Sequence, residues 1–167
     1  MKLSSQEEYG LRCLLHLARG KQGSSTTIPE IAAAEGLSVP NVAKLMRVLR
    51  IGGMVTSVRG QSGGYTLSRP AGDIPVVEAL QVLGSSFFGP TFCNRHSGRR
   101  AECAHMTDCS LRAMWTAIHQ VVQAVLGKTT LAELLCGESQ MNNWVAERTL
   151  AALPILENLR GTALRSH

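Results

Sequence analysis

The chain has 167 residues, a mass of 18.0 kDa and a net charge of +5, and 44% of its residues are hydrophobic. This size and composition suit one folded domain, or a small domain with an appendage, and exclude a disordered chain. No apolar run approaches the ~18 residues of a membrane span, and the N-terminus turns polar and acidic where a secretory signal would be apolar. We therefore expect a cytoplasmic protein without a membrane partner, in which five cysteines favour metal or redox chemistry over disulfides.

All of the excess positive charge lies in the first 70 residues. Residues 1–70 hold nine Lys and Arg against four Asp and Glu, whereas residues 71–167 hold eight of each. This asymmetry predicts a basic binding module followed by a neutral one, with a polyanion as the partner of the first. A solvated basic face is the alternative.

The first three predicted elements are helices. Apolar residues at helical spacing predict an amphipathic helix over residues 4–19, with its stripe at Leu11, Leu14, Leu15 and Ala18. After a polar loop over 20–26, Thr27 and Glu30 match a capping box that opens a short helix ending at Gly36. Ser38 can then cap a third helix that Gly52 ends. The apolar stripe of this third helix is Val42, Leu45, Met46 and Leu49. Two helices joined by a short turn containing glycine predict a helix-turn-helix.

A β-hairpin follows the third helix. Residues 54–58 and 65–67 are rich in β-formers and flank a glycine-rich polar turn. A hairpin directly behind a helix-turn-helix is typical of the wing of a winged helix, so the sequence predicts a mainly α fold that opens with this module.

The second half of the chain is predicted to be helical around a loop. We expect a hinge at 70–73, a short helix over 75–84, a loop over 85–106, a long helix from Thr107, a short helix over 130–135 and a helix over 144–159 bent or broken at Pro154. The stripe of the long helix is Leu111, Met114, Trp115, Ile118, Val122 and Val125. It pairs with a second subunit or packs within one subunit. The predicted domains are residues 1–70 for DNA binding, 71–135 for a cysteine loop and dimerisation helix, and 136–167 as a helical extension.

The outer side of the third helix and the turn of the wing form the predicted DNA-reading surface. Asn41 could read adenine, and Lys44 and Arg47 could meet guanine or phosphate, although both also suit a solvated helix face. Arg59 is the side chain best suited to enter a minor groove, and the glycines beside it permit close approach to phosphate or simply a tight turn. The full predicted surface is Ser38, Asn41, Lys44, Arg47, Arg59, Gly60, Gln61, Ser62, Gly63 and Tyr65.

Three cysteines lie within 17 residues as Cys93-x9-Cys103-x5-Cys109, with His96 and His105 between them. Three thiolates with one further ligand could hold zinc or an iron–sulfur cluster, and the spacing leaves both open. No nucleophile triad or phosphate-binding loop accompanies them, so an enzyme is not expected. The two remaining cysteines, Cys13 and Cys136, lie in predicted helices and are expected to be buried structural thiols.

The layout resembles one family of bacterial winged-helix transcription regulators, which includes the iron–sulfur cluster regulator (IscR), the nitric-oxide-sensing repressor (NsrR) and the rhizobial iron regulator (RirA). The resemblance covers about residues 1–135. It is carried by Met1–Ser4 with Tyr9, the SVRGQSGGYTLSRPAGDI stretch over 57–74, and the cysteines leading into Leu111–Trp115. It implies a homodimer whose long helices cross, binding to palindromic double-stranded DNA, and a [2Fe–2S] or [4Fe–4S] cluster on Cys93, Cys103 and Cys109 whose state changes DNA affinity.

The sequence departs from this family pattern at the fourth cluster ligand. The iron–sulfur cluster regulator has a histidine three residues after its last cysteine, where this chain has the cationic Arg112. Some other members use a carboxylate at the start of the first helix, donated by the other subunit, and Glu8 occupies that place. An ion pair with Arg12 is the alternative role for Glu8, and His105 or His96 is a substitute ligand. The first cysteine gap is also longer than is usual in the family.

Three functions therefore remain open at the level of sequence. The leading hypothesis is a dimeric transcription regulator controlled by an iron–sulfur cluster that senses redox state, nitric oxide or iron. A regulator with zinc or no cofactor, in which the thiols themselves oxidise, is the second. A small redox enzyme or cluster carrier is the third.

Overall fold

The computed structural model describes residues 3–21, 24–60, 63–84, 102–103, 105 and 108–163, with side chains described as far as residue 150. The chain forms two compact units. One comprises Met1–Ser85 and Leu126–Trp144, and the other Ser86–Val125 and Val145–His167. Packing thus joins residues 126–144 to the winged-helix part, while the functional domains bounded at 70 and 135 stay a prediction. None of the described helices is long and apolar enough to cross a membrane.

Helix α1 spans Ser5–Arg19 and begins with a capping box between Ser4 and Glu7. Its buried face differs from the predicted stripe, because Leu11, Leu15 and Ala18 are only half-buried. The buried apolar face is instead Gly10, Cys13, Leu14 and Leu17. The reason lies in a close contact, since a Cβ on Gly10 would stand 2.3 Å from a methyl carbon of Leu83. Glycine at position 10 lets another helix pack closely against α1, whereas leucine side chains on this face would keep that helix further away.

The helix-turn-helix is confirmed. Helix α2 spans Ile28–Glu35, opens with the predicted capping box between Thr27 and Glu30, and ends at Gly36 with a φ of 65°. Hydrogen bonds from Thr27 hold the pKa of Glu30 below its usual value. Helix α3 spans Val39–Ile51, with its predicted stripe fully buried as Val42, Leu45, Met46 and Leu49. Ser38 stands at the N-cap, yet its side chain makes no capping hydrogen bond.

The wing consists of strands β1 (Val55–Val58) and β2 (Gly64–Leu67), paired antiparallel with Val55 opposite Leu67 and Val58 opposite Gly64. The segment predicted as a polar loop before α2 contributes to this sheet. Thr26 and Tyr65 exchange backbone hydrogen bonds of 2.9 and 2.8 Å. A side chain at position 64 would come within 2.7 Å of the Thr26 carbonyl oxygen, so Gly64 permits the pairing.

Helix α4 (Val76–Leu83) follows a 3-10 turn at Ala71–Asp73 and packs against both α1 and α3. Gly52 makes the second contact possible, because a Cβ there would lie 2.2 Å from Val82. Residues 129–132 return to this unit, where the amide of Leu131 donates to the Ile74 carbonyl over 3.0 Å and its side chain is fully buried.

The predicted short helix over 130–135 is a 3-10 turn at Glu133–Leu135 that ends at Cys136. Cys136 is exposed, so its predicted burial is wrong. The turn ends there, and no later residue covers the thiol in the described part of the chain.

Two further helices complete the described chain. Helix α5 spans Ser110–Leu126, three residues later than the predicted start. Helix α6 spans Glu138–Ala163 as one helix, so the break expected at Pro154 is not found. A proline removes one backbone donor from a helix, and here the helix continues on both sides of it.

Candidate DNA interface and cysteine site

The outer side of α3 carries a row of exposed residues opposite its buried stripe. Pro40, Lys44, Arg47 and Ile51 follow one another at intervals of four, three and four, the spacing of one helix face, and all four are exposed. We call this row the α3 ridge. Of the other predicted contacts, Ser38 is exposed and Asn41 is half-buried on the flank of the ridge. The side chain of Asn41 makes no hydrogen bond within the described part of the chain, so its amide is available to a ligand.

Two of the cations in the basic module are neutralised. Arg12 pairs with Glu35, and Arg69 pairs with Glu78. The other cations of the module that the structure describes are exposed and form no ion pair among the described residues; they are Arg19, Lys21, Lys44, Arg47, Arg50 and Arg59. Uncompensated cations on one small unit attract a polyanion. Arg50 was missed by the sequence prediction, although its position three residues after Arg47 was the available signal.

The tip of the wing is a tight turn that presents Arg59. The Arg59 side chain is exposed, Gly60 has a φ of 114°, and the Gly63 amide donates to the Gly60 carbonyl over 2.9 Å. The two predicted contacts between these glycines, Gln61 and Ser62, lie outside the described residues. Tyr65 lies in β2, one pair below the turn, where it stands opposite Ser57 of β1 and its backbone also pairs with Thr26.

The cysteine site is described in part. Cys109 directly precedes α5, and its sulfur accepts a hydrogen bond from the Arg112 amide over 3.4 Å. This is the position and contact of an N-cap residue. Cys103 is also a half-buried free thiol, and His105 is exposed. Cys93 and His96 lie outside the described residues, and within those residues no three His, Cys, Asp or Glu side chains converge on a metal position.

Glu8 is exposed on the first turn of α1. The alternative role considered for it, an ion pair with Arg12, is wrong. The Arg12 guanidinium donates from Nε to the Glu35 carboxylate over 3.0 Å and from Nη2 to the Glu35 carbonyl over 2.5 Å. The Glu8 carboxylate makes no hydrogen bond or ion pair in the described part of the chain, so it is available to a ligand.

Comparison with known proteins identifies the family. Residues 3–137 match the Rrf2 family, described as an iron-dependent transcriptional regulator. The chain belongs to the Rrf2 family. It is 35% identical to protein Rrf2 of Nitratidesulfovibrio vulgaris over 81% of this chain and 87% of that protein. It is 32% identical to the transcriptional regulator IscR of Vibrio atlanticus over 81% of this chain and 75% of the relative.

Solved structures agree with this assignment. T. potens IscR matches 81% of this chain and 86% of its own, with a TM-score of 0.63 and 31% identity. CymR, the global cysteine regulator of B. subtilis, matches 81% of this chain and 96% of its own, with a TM-score of 0.65 and 28% identity. The winged-helix fold and the predicted family resemblance are therefore confirmed. This Rrf2-family member is a DNA-binding transcription regulator, and the relatives IscR and CymR are likewise named as regulators.

Proposed function

We propose that this Rrf2-family regulator is a cytoplasmic homodimer that binds palindromic promoter DNA and whose affinity is controlled by an iron–sulfur cluster. The cluster, [2Fe–2S] or [4Fe–4S], is held by Cys93, Cys103 and Cys109. The observation that carries the proposal is the N-cap position of Cys109, because a backbone amide donates to its sulfur. Hydrogen bonds to the sulfurs tune cluster potential in iron–sulfur proteins. The match to a family described as iron-dependent supports the same choice of metal.

The DNA-binding role is supported by the two regions of uncompensated charge described above. The α3 ridge supplies Lys44 and Arg47 to a major groove, and the wing supplies Arg59 to the adjacent minor groove. Neutralising phosphates with such side chains releases counterions, so the affinity should fall steeply as salt is raised.

The dimer is supported by the apolar stripe of α5. Leu111, Met114, Trp115 and Ile118 are exposed by 61, 46, 41 and 42% of their surfaces, and no residue of this helix is buried. Consecutive exposed apolar residues on one helix mark an interaction surface. A second copy of the same helix is the occupant we propose, since it offers the same stripe. Two copies related by a twofold axis then read two half-sites roughly one turn of DNA apart.

Glu8 of the partner subunit is the fourth ligand that we propose. Its exposed carboxylate has no other described role, which is the property an intermolecular ligand needs. Arg112 cannot replace the histidine of IscR, because a guanidinium stays protonated and offers no lone pair. His105, which is exposed within the cysteine segment, is the second candidate.

A second function is supported by a specific likeness. CymR of Staphylococcus aureus, at 29% identity and a TM-score of 0.60, has been solved in an oxidised form. Cys103 and Cys109 are free thiols in this chain. A regulator with zinc or without a cofactor, in which these thiols oxidise directly, is therefore the alternative.

Anaerobic purification separates the two functions. We expect visible absorption, with iron and sulfide bound in proportion to protein, and a change in affinity for a selected DNA duplex when the cluster is removed. A colourless protein that contains zinc, or whose DNA affinity responds to thiol oxidation alone, would support the alternative. A protein that binds selected and random duplexes equally in every state would contradict both.

A further inference from the structure

The N-terminal end of the α3 ridge has a chemistry different from its middle. Lys44 and Arg47 are cations, whereas the residue one turn before Lys44 is Pro40, whose ring is exposed. Pro40 lies in the first turn of α3, where the missing amide hydrogen costs the helix nothing. Pro40 therefore suits the start of the helix. Its position on the exposed ridge gives it a second use.

We propose that Pro40 is a specificity-determining residue that selects a thymine in each half-site by packing against its C5-methyl group. This inference rests on the DNA-binding function of the chain. In the major groove every base presents donors or acceptors, but only thymine adds an apolar methyl group. A pyrrolidine ring has no donor or acceptor to offer, so the contact it can make with favourable free energy is with that methyl.

Two properties of the site favour this contact. Proline loses no rotamer entropy on burial, unlike the flexible side chains that follow it on the ridge. Ala43, on the same side of the next turn, is half-buried and apolar, so it adds no competing hydrogen-bonding group. Pro40 and Lys44 are about 6 Å apart along the helix axis. The two side chains therefore meet different positions on the DNA.

The experiment compares thymine with deoxyuridine, which lacks only the methyl group. The full-length chain selects its preferred duplex from a randomised pool, and that duplex is remade with each dT replaced in turn by dU. For the wild type we expect one symmetrical pair of positions at which dU weakens binding by about fourfold per contact. For Pro40→Ala the dU-to-dT ratio of Kd at that pair should fall clearly below fourfold, because alanine keeps one methyl group where the proline ring has three methylenes.

Ile51→Ala is the matched control. It also removes apolar surface from the ridge, about 16 Å along the axis from Pro40, and it should keep the fourfold ratio. Two results would overturn the inference while leaving the DNA-binding function intact: wild-type binding that is insensitive to dU at every position, or an unchanged ratio in Pro40→Ala. Failure of the wild type to select any sequence would instead overturn the proposed function, and this inference with it.

Discussion

Arg12 on α1 holds both the carboxylate and the backbone carbonyl of Glu35, the last residue of α2. His16, one turn further along α1, stands with Nδ1 3.5 Å from the other carboxylate oxygen. Glu35 directly precedes the turn that leads into α3. The contact therefore fixes the end of α2, and with it the start of the reading surface, to α1.

We expect Glu35→Gln to destabilise the fold modestly. The substitution keeps the shape but removes the charge of a hydrogen-bonded pair, and because Arg12 is 39% exposed, water offsets part of the loss. A decrease of about 1 kcal/mol in the free energy of unfolding is expected from denaturant titration of cluster-free protein. Glu8→Gln is the matched control, since Glu8 is exposed without a described partner, and it should change stability by less than about 0.5 kcal/mol. Equal effects of both substitutions would contradict the role given to Arg12.

We expect the two basic contacts to differ in how they weaken DNA binding. Lys44→Ala, if the side chain meets phosphate, should weaken all sequences alike and reduce the slope of log K against log salt by about one. Arg59→Ala should weaken the selected duplex more than random DNA, because a narrow groove is read by its shape. Lys128→Ala, which removes an exposed cation outside the basic module, should leave affinity and slope unchanged. Wild-type binding by both Lys44→Ala and Arg59→Ala would place the interface elsewhere.

Ile118→Asp should yield monomers or aggregates. The substitution buries an unpaired charge in the proposed contact between α5 helices, which costs several kcal/mol. Sedimentation or light scattering of the purified protein measures the mass. Ile51→Asp makes the same chemical change at a side chain that is 68% exposed on α3, and it should leave the mass of a dimer. If Ile118→Asp instead gives a monodisperse dimer, the interface lies outside this stripe.

Cys109→Ser separates the two roles of Cys109. Serine is a good N-cap and keeps an acceptor for the Arg112 amide. The helix should therefore form, and the free energy of unfolding should be little changed. A neutral hydroxyl is a much weaker ligand to cluster iron than a thiolate, so the visible absorption should be lost. Cys136→Ser, at an exposed thiol, should keep it.

Substitutions of the other candidate ligands identify the fourth ligand of the proposed cluster. Glu8→Ala should retain a cluster with an altered spectrum, because a carboxylate is a harder and more weakly held ligand than thiolate. An unchanged spectrum in Glu8→Ala, or loss of the cluster in His105→Ala alone, would remove the inter-subunit ligand.

Ionisation of the Cys13 thiol should lower the free energy of unfolding at alkaline pH. Burial, with a further contribution from the charge of Glu35, raises the pKa of this thiol from 9.0 to about 11. Below pH 9 the thiol is protonated in the folded and the unfolded chain, so its contribution to the free energy of unfolding is fully present. As the pH rises from 9 to 11 the unfolded chain ionises first, and about 2–3 kcal/mol is lost. Cys13→Ala should remove this component, and native Cys13 should resist iodoacetamide at pH 8 while the exposed Cys136 reacts.

The sequence was most informative where structure depends on neighbours within about four residues. The capping box of Thr27 and Glu30, the glycine at 36 and the buried spacing of α3 are local patterns, and each was confirmed. The hairpin was found for the same reason, since its strands are joined by a short turn.

Several of the features that were missed depend on contacts between distant residues. The buried face of α1 is set by Leu83 of α4 packing on Gly10, and the ion pair of Arg12 reaches Glu35, 23 residues away. The pairing of Thr26 with Tyr65 likewise joins two segments that no local pattern connects. In the candidate DNA site, Arg50 and the ring of Pro40 were recognised only from their exposure in the structure. Helical spacing alone does not show which side chains are exposed or which cations are already paired.

The pairing of Thr26 with Tyr65 also restricts how DNA affinity can be regulated. It ties the wing to the segment before α2, and Arg12 ties the end of α2 to α1, so α3 and the wing are held together as one reading head. A signal then has little freedom to reshape the head itself. In the dimer that we propose, what remains adjustable is the separation and tilt between the heads of the two subunits. We therefore expect the two states of the regulator to prefer different lengths of spacer between the half-sites, while the bases preferred within each half-site stay the same.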